Sequence, residues 1–172
     1  MRFFPIALVA CLACSCGGQA SLEGGVYHDP EARYRVGNLG TGWSELGGVA
    51  SQNDIAYFQE ALGAIVQVNA SCDPELDIPL VALTNHLLIG FTERDIKEQT
   101  LVPLDAREAM RTHVHAKLDG VPRELLFYVL KKDGCVYDFA LIAPPGDPFS
   151  RASVSFEAFV RRFHAQGGPA AR

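Results

Sequence analysis

The chain contains no run of five or six like charges, and its formal net charge over 172 residues is −5 at pH 7. Nucleic acid presents a dense array of phosphates, which a protein binds through a basic face. We therefore expect no nucleic-acid partner. The acidic balance also gives no support to electrostatic attachment to anionic lipid, so membrane association would depend on lipid chains attached to the protein.

Catalytic motifs are also missing from the sequence. There is no GxSxG nucleophile elbow, no HExxH zinc motif and no phosphate-binding glycine loop. We therefore expect neither enzymatic activity nor a cofactor.

Long apolar runs are scarce, and the single one lies at the N-terminus. Residues 3–15 follow Arg2, carry no charge and are too few to span a bilayer as a permanent helix. A short apolar run behind one positive residue is typical of an export signal. We predict a signal peptide over residues 1–15.

Three cysteines, Cys11, Cys14 and Cys16, stand at the end of this run. A cysteine that follows small residues resembles the lipobox of bacterial lipoproteins, in which the cysteine is lipidated and becomes the mature N-terminus. Residues 8–11 give the best four-residue match, but they leave an apolar segment of only about eight residues, near the lower limit for a signal. We predict lipidation at Cys16, with Cys11 as the alternative. The remaining possibility is an ordinary cleaved signal peptide without a lipid.

Residues 16–30 are rich in glycine, poor in large apolar side chains and contain the turn pair Asp29-Pro30. This composition predicts a flexible tether. The rest of the chain is long enough for one domain that buries roughly two-thirds of the surface of its unfolded chain. We expect a single domain over residues 31–165 and a disordered tail over residues 166–172.

Cys72 and Cys135 are the only cysteines beyond the signal region. An even pair of cysteines in an exported chain predicts a disulfide. Two buried thiols or a metal site are the alternatives, although the pair lacks the CxxC-type spacing of zinc sites. Because the bridge would close a loop of about sixty residues, the chain-entropy model suggests a stabilisation of roughly 3 to 4 kcal/mol.

The periodicity of apolar residues predicts an α+β fold, with an antiparallel sheet of about six or seven strands flanked by two main helices. Short strands are expected near residues 33–36, 43–46, 54–59 and 64–71. Two helices are expected from apolar stripes, at Leu80, Leu83 and Leu87 and at Phe156, Phe159, Val160 and Phe163.

A long antiparallel meander is predicted between the helices. Residues 109–118 alternate in polarity, Asp119-Gly120 marks a hairpin turn, and the third strand covers residues 135–143. The register follows if Leu118 pairs with Val121 and Lys131 pairs with Cys135. One face of the three strands then forms the expected core, with Met110, Val114, Leu118, Leu125, Phe127, Val129, Tyr137, Phe139 and Leu141.

The same register places Arg111, Tyr128 and Asp138 in one row across the three strands, on the face opposite this core. A charged pair among apolar neighbours requires compensation, which an arginine–aspartate bridge beside the tyrosine hydroxyl would provide. We predict a buried polar row that fixes packing. The alternative is a recognition site for a small anionic or peptide group.

His113 and His115 share that face, and Glu124 is expected opposite His115. Two imidazoles at i and i+2 on a strand, together with one carboxylate, could supply three ligands to zinc. Polar residues on an exposed strand give the same pattern. We therefore assign no metal and keep these three side chains as candidate ligands.

The family resemblance of the chain rests on residues 34–36, Gly42-Trp43 and the phenylalanine-rich segment 156–163, in the order paired strands, strand, helix, meander and final helix. This order resembles the PsbP-like fold, named for the extrinsic protein of the photosystem II oxygen-evolving complex, and the fold of the DcrB-type envelope lipoproteins. The resemblance implies an antiparallel sheet with helices on both faces, which acts as a non-catalytic binding or assembly module. No residue role of the photosystem proteins carries over.

We therefore expect a lipid-anchored module of the bacterial cell envelope that faces the periplasm or the cell exterior. Its expected partners are the membrane, through the N-terminal lipid, and another envelope protein. The alternative is a metal- or small-ligand-dependent protein that uses the strand face of His113, His115 and Glu124.

Overall fold

The computed structural model describes residues 20–46 and 53–167. The predicted signal peptide over residues 1–15, the predicted lipidation site Cys16 with its alternative Cys11, and residues 168–172 of the predicted tail lie outside the described residues. Within the described ranges the chain forms two antiparallel sheets and two α-helices, and this architecture confirms the α+β fold expected from the sequence.

Eleven strands and two α-helices make up the described part of the domain. In chain order they are β1 (Ser21–Glu23), β2 (Val26–His28), β3 (Arg33–Arg35), β4 (Ser44–Glu45), β5 (Ile55–Gln59), β6 (Ala64–Ser71), α1 (Leu80–Leu87), β7 (Phe91–Leu104), β8 (Arg107–Leu118), β9 (Val121–Lys132), β10 (Cys135–Ala143), α2 (Asp147–Val160) and β11 (His164–Ala165). The larger sheet has the order β4-β5-β6-β10-β9-β8-β7, and the smaller has the order β1-β2-β3-β11.

The small sheet corrects the predicted tether and the start of the tail. Strands β1 and β2 form a hairpin inside residues 16–30, so the folded domain begins before residue 31. Tyr27 of β2 is buried because its ring stacks on Tyr34 of β3, with the ring centroids 5.0 Å apart. At the other end, the Gln166 N–H donates to the Arg33 carbonyl at 2.8 Å, so the pairing of β11 continues past residue 165.

Strand β7 forms one edge of the large sheet and was not predicted from the sequence. Almost all of its side chains are exposed, including Ile96 and Leu101. An exposed edge strand needs no alternation of apolar and polar residues, and the segment shows none. The pairing of β7 with β8 is also interrupted by register shifts between Thr92 and Asp95 and between Ile96 and Glu98.

The register between β9 and β10 differs by one residue from the predicted one. Asp133 and Gly134 form a two-residue turn with φ values of 52° and 78°, so Cys135 pairs with Lys132 rather than with Lys131. A shift of one residue moves every side chain of the strand to the opposite face of the sheet. The predicted core face is therefore wrong for β10: Tyr137, Phe139 and Leu141 lie on the face of Leu126, Tyr128 and Leu130.

The two helices cover opposite faces of the large sheet. Leu83 of α1 packs against Met110, Val129 and Val136. On the other face, Phe156 of α2 and its neighbours join the main core, which includes Val66, Tyr137, Phe139, Leu141 and Phe159. Because both faces are covered, the central strands are buried on both sides, and β9 is buried without interruption from Glu124 to Leu130.

The disulfide expected from the cysteine count is present between Cys72 and Cys135. It joins the residue after β6 to the first residue of β10, which is the neighbouring strand in the sheet. The bridge therefore closes a loop that contains α1 and the strands β7 to β9.

Replacing both cysteines with serine, Cys72→Ser and Cys135→Ser, should lower the free energy of unfolding by about 4 kcal/mol, because the unfolded chain gains the conformational freedom of that loop. Urea unfolding of the oxidised protein and of the double variant measures this difference. A reducing agent should destabilise the wild type by a similar amount and leave the double variant unchanged. Reactive thiols at these two positions in unfolded, unreduced protein would contradict the bridge.

Candidate functional site

A cleft of about 500 Å³ lies where the small sheet, the segment before β4, strand β5 and the end of α2 meet. Gly24 and Gly25 form one part of its wall, in the turn between β1 and β2, with φ values of 57° and 78°. Glycine adopts such positive φ values without the steric cost that a side chain imposes. The segment that follows β3, which includes Gly37 and Gly40, forms another part of the wall.

Gly37 holds this wall directly against α2. Its N–H donates to the Phe159 carbonyl at 3.2 Å. A Cβ atom at this position would lie 2.8 Å from Cα of Phe159, which is closer than non-bonded carbon atoms approach. The absence of a side chain therefore sets the distance between the end of β3 and the last turn of α2.

Four larger side chains give the cleft its chemistry: Arg35, Trp43, Tyr57 and Arg162. None of the described residues that line the cleft is acidic, although the chain as a whole is. Burial and the nearby carboxylate of Glu45 raise the pKa of Tyr57, so its hydroxyl stays protonated and can donate a hydrogen bond. The cleft therefore combines two guanidinium groups with two aromatic rings.

These cleft residues were not predicted as a site because they come from four separate segments of the chain. Each segment alone looks like a loop or a short strand. The only local indication of the cleft is the concentration of glycine at residues 24–25 and 37–42. Because glycine has no side chain, other groups can pack closely against the backbone there.

The predicted polar row is correct for Arg111 and Tyr128. Arg111 pairs with Tyr128 across β8 and β9, and its Nε donates to the tyrosine hydroxyl at 3.1 Å. The carboxylates that compensate the guanidinium are Glu98 of β7 and Glu157 of α2, at 2.8 Å and 2.9 Å. Arg111 thus links the edge strand, the sheet and the second helix.

The second half of the predicted row is wrong, because Asp138 lies on the other face of the sheet. It pairs with Val129 and not with Tyr128, as the two-residue turn before β10 requires. Its Oδ1 atom is buried and has no hydrogen-bond partner among the described residues. Burial raises the pKa of Asp138 to about 7.

Asp54 is a second carboxylate that lies partly buried, and it joins the two sheets. Its Oδ2 atom accepts hydrogen bonds from the Tyr34 hydroxyl at 2.9 Å and from the Ala70 N–H at 2.8 Å. Burial raises the pKa of Asp54 to about 6, although these hydrogen bonds act in the opposite direction. Sequence reasoning placed Asp54 only at the start of a strand, because nothing local indicates its distant tyrosine partner.

The three candidate metal ligands lie together next to the start of α2. Glu124 faces His115 across β8 and β9, as predicted, and its Oε1 atom lies 2.8 Å from Nε2 of His113 and 3.2 Å from Nε2 of His115. The Gly146 N–H donates to the other carboxylate oxygen at 3.1 Å. Burial opposes ionisation, but the hydrogen bonds from Gly146 and the two histidines hold the pKa of Glu124 below its usual value.

Replacing Asp138 with asparagine should stabilise the protein at pH 8 by on the order of 4 kcal/mol and have little effect at pH 4. The folded-state pKa of about 7 is higher than the ordinary value of 3.8. As the pH rises between these values, the unfolded chain loses its proton while the folded chain keeps it, so stability falls and then levels off above pH 7.

Urea unfolding of the wild type and of Asp138→Asn between pH 4 and pH 8 tests this expectation. Other carboxyl groups, such as that of Asp54, titrate in the same pH range. Because the substitution removes only the Asp138 carboxyl, the difference between the two proteins reports the titration of that group alone. If the difference in the free energy of unfolding between the two proteins does not change with pH, the carboxyl of Asp138 does not have the raised pKa that its burial implies.

No family model and no curated protein matches this sequence. The folded chain is nevertheless similar to solved structures. LpqN of Mycobacterium tuberculosis, which is involved in cell envelope biogenesis, aligns with a TM-score of 0.56 at 12% identity over 86% of this chain and 89% of its own. The cyanobacterial PsbP protein CyanoP from Synechocystis aligns with a TM-score of 0.52 at 15% identity, over 92% of this chain and 98% of its own.

A longer protein from Bacteroides thetaiotaomicron aligns with a TM-score of 0.53 at 9% identity. The alignment covers 77% of this chain and only 45% of that protein. Within the part of the chain that the structure describes, no helix has the length and apolar character needed to cross a membrane. The two sheets, the two helices and the similarity to CyanoP show that the chain has a PsbP-like α+β fold.

Proposed function

We propose that this protein is a lipid-anchored, non-catalytic binding or assembly module of the bacterial cell envelope, which faces the periplasm or the cell exterior. Two independent features support the proposal: the lipobox-like sequence around Cys16 and the fold that the chain shares with LpqN, a protein involved in cell envelope biogenesis. The shared fold covers most of both chains, so it is the complete domain and not one fragment that is similar.

The cleft is the observation that carries the binding role. Its described lining holds Arg35, Arg162, Trp43 and Tyr57 and no carboxylate, in a chain with a net charge of −5. Guanidinium groups bind carboxylates and phosphates in paired geometry, and aromatic rings bury apolar or planar groups. We therefore assign the cleft to an acidic segment of another envelope protein.

The position of the cleft fits an anchor close to the membrane. Strand β1 begins at Ser21, and Gly24 and Gly25 already line the cleft. An extended chain spans at most about 3.5 Å per residue, so a lipid on Cys16 would keep Ser21 within roughly 18 Å of its attachment point. From Cys11 the same limit would be about 35 Å. A partner that binds this cleft would therefore lie at the membrane surface.

Metabolic labelling with a fatty-acid probe should label the wild-type protein, because a lipobox cysteine carries acyl chains. The label should disappear in Cys16→Ser and persist in Cys11→Ser. Cys14→Ser serves as the matched control and should also keep the label. Complete absence of label in the wild type would refute the lipid anchor, and loss of label in Cys11→Ser alone would move it to the alternative residue.

Charge reversal at Arg162 should reduce capture of the envelope partner by about tenfold, because Arg162 lines the cleft and the partner segment is acidic. The chain offers a matched control in Arg161, which is exposed, adjacent and pairs weakly with Glu157 at 3.7 Å. Affinity capture of the lipidated protein from its own membranes, followed by quantitative mass spectrometry, compares Arg162→Glu with Arg161→Glu. If both variants lose the partner equally, or if neither does, the cleft is not the binding surface.

A further inference from the structure

The strands β8 and β9 bring two imidazoles and a carboxylate to one place beside the start of α2. His113 and His115 are two residues apart on β8, so their side chains point to the same face of the sheet. Glu124 on β9 is the direct cross-strand neighbour of His115. The backbone alone therefore places these three side chains together.

The spacing of their terminal atoms is close to that of a metal site. The Glu124 Oε1 atom lies 2.8 Å and 3.2 Å from the two Nε2 atoms, and all three possible ligand atoms lie within 4.8 Å of one another. Zinc binds nitrogen and oxygen at about 2.0 to 2.2 Å in a tetrahedral arrangement, which puts neighbouring ligand atoms about 3.3 Å apart. A small rotation of the side chains would bring all three to this distance.

Neighbouring groups already orient two of the three ligands. The Gly146 N–H holds Oε2 of Glu124 at 3.1 Å and leaves Oε1 directed at the histidines. The ring of Phe149, from the first turn of α2, stacks on His113 with a centroid distance of 5.0 Å and an interplanar angle of 7°. A hydrogen bond that fixes a ligating carboxylate, as the one from Gly146 does for Glu124, is typical of metal sites and contributes to affinity.

The three candidate ligands differ in solvent exposure, and the side of the cluster at His115 is open to solvent. The side-chain exposed fractions are 11% for Glu124, 23% for His113 and 46% for His115. An ion bound by these three would therefore be held from the protein side and remain accessible beside His115. Three protein ligands leave at least one position of zinc for water or for a donor atom from another molecule.

We propose that His113, His115 and Glu124 form a binding site for a divalent transition-metal ion of the zinc type. Imidazole nitrogens favour zinc and its neighbours over magnesium and calcium, which prefer oxygen ligands. The ion replaces the two hydrogen bonds between Glu124 and the histidines. Each imidazole gives up its Nε2 proton to water and keeps its remaining proton on Nδ1, so that the free Nε2 lone pair binds the metal. This site lies apart from the residues that line the cleft, so it is independent of the proposed binding role.

Isothermal titration with Zn²⁺ tests the proposal, with full-chain protein in which serine replaces Cys11, Cys14 and Cys16 to remove three thiol ligands. The protein carries no histidine tag and has been treated with a chelator. We expect one Zn²⁺ per chain at this site and no competition from millimolar Mg²⁺. His115→Ala should weaken binding by at least about 100-fold, since it removes a ligand. His115 is the most exposed of the three ligands, so the variant should fold normally.

His86→Ala is the matched control, because His86 is an exposed histidine on α1 outside the cluster. It should bind Zn²⁺ as tightly as the wild type does. Zn²⁺ should also raise the melting temperature of the wild type and of His86→Ala but not that of His115→Ala, since a ligand that binds the folded state stabilises it. X-ray absorption of the loaded protein should show two imidazole nitrogens on the metal.

Three results would overturn the metal site. The first is the absence of saturable Zn²⁺ binding, in which case the three side chains form only hydrogen bonds, and the one from Gly146 to Glu124 holds the start of α2 on the sheet. The second is unchanged affinity in His115→Ala. The third is an equal loss of affinity in His86→Ala, which would indicate binding to surface histidines in general.

Discussion

The pairing register of β8, β9 and β10 is the constraint on which the rest of the structure depends. Two tight turns set it, at Asp119-Gly120 and Asp133-Gly134, and all four residues have φ values between 50° and 78°. Turns of this kind match the twist of antiparallel strands and leave no freedom to slip. The register places Glu124 opposite His115, Tyr128 opposite Arg111, and the aromatic side chains of β10 beneath α2. Because helices cover both faces, a slip of one residue would exchange the two cores.

Helix α2 is held at three points along its length, each by a different kind of contact. Near its start, Gly146 donates to Glu124 of the sheet. In its last turns, Glu157 pairs with Arg111, and the Phe159 carbonyl accepts from Gly37. The candidate metal ligands lie near the first point, and the cleft lies near the last. Both sites therefore adjoin the same helix, at opposite ends, although they share no residues.

The sequence predicts those elements that carry a regular local pattern of apolar residues. The phenylalanine stripe of α2 and the alternation of β8 reflect helical and strand periods, and both elements are present. The Asp119-Gly120 turn also gives the right pairing of Leu118 with Val121. The register of β10 was wrong because Lys132 can belong either to the turn or to the strand, and only the observed turn of two residues decides between them.

Features that depend on contacts between residues far apart in the sequence could not be predicted from local patterns. Tyr27 looks like part of a tether until Tyr34 covers it, and Asp54 has no visible role until the Tyr34 hydroxyl reaches it. The candidate metal ligands could be predicted because they lie on two adjacent strands. The cleft could not, because Arg35 and Arg162 meet there from opposite ends of the domain.

The exposed edge strand β7 also has a consequence for how copies of the protein behave when they are crowded. A long open edge offers unpaired N–H and C=O groups, which allow another chain to add a strand and begin aggregation. Here the strand is irregular at Thr92 to Glu98, carries closely spaced charges such as Asp95 and Lys97, and contains Pro103, which has no N–H to donate. These features make a continuous ladder along β7 unfavourable. The domain can therefore keep a sheet with an open edge and still resist self-association through it.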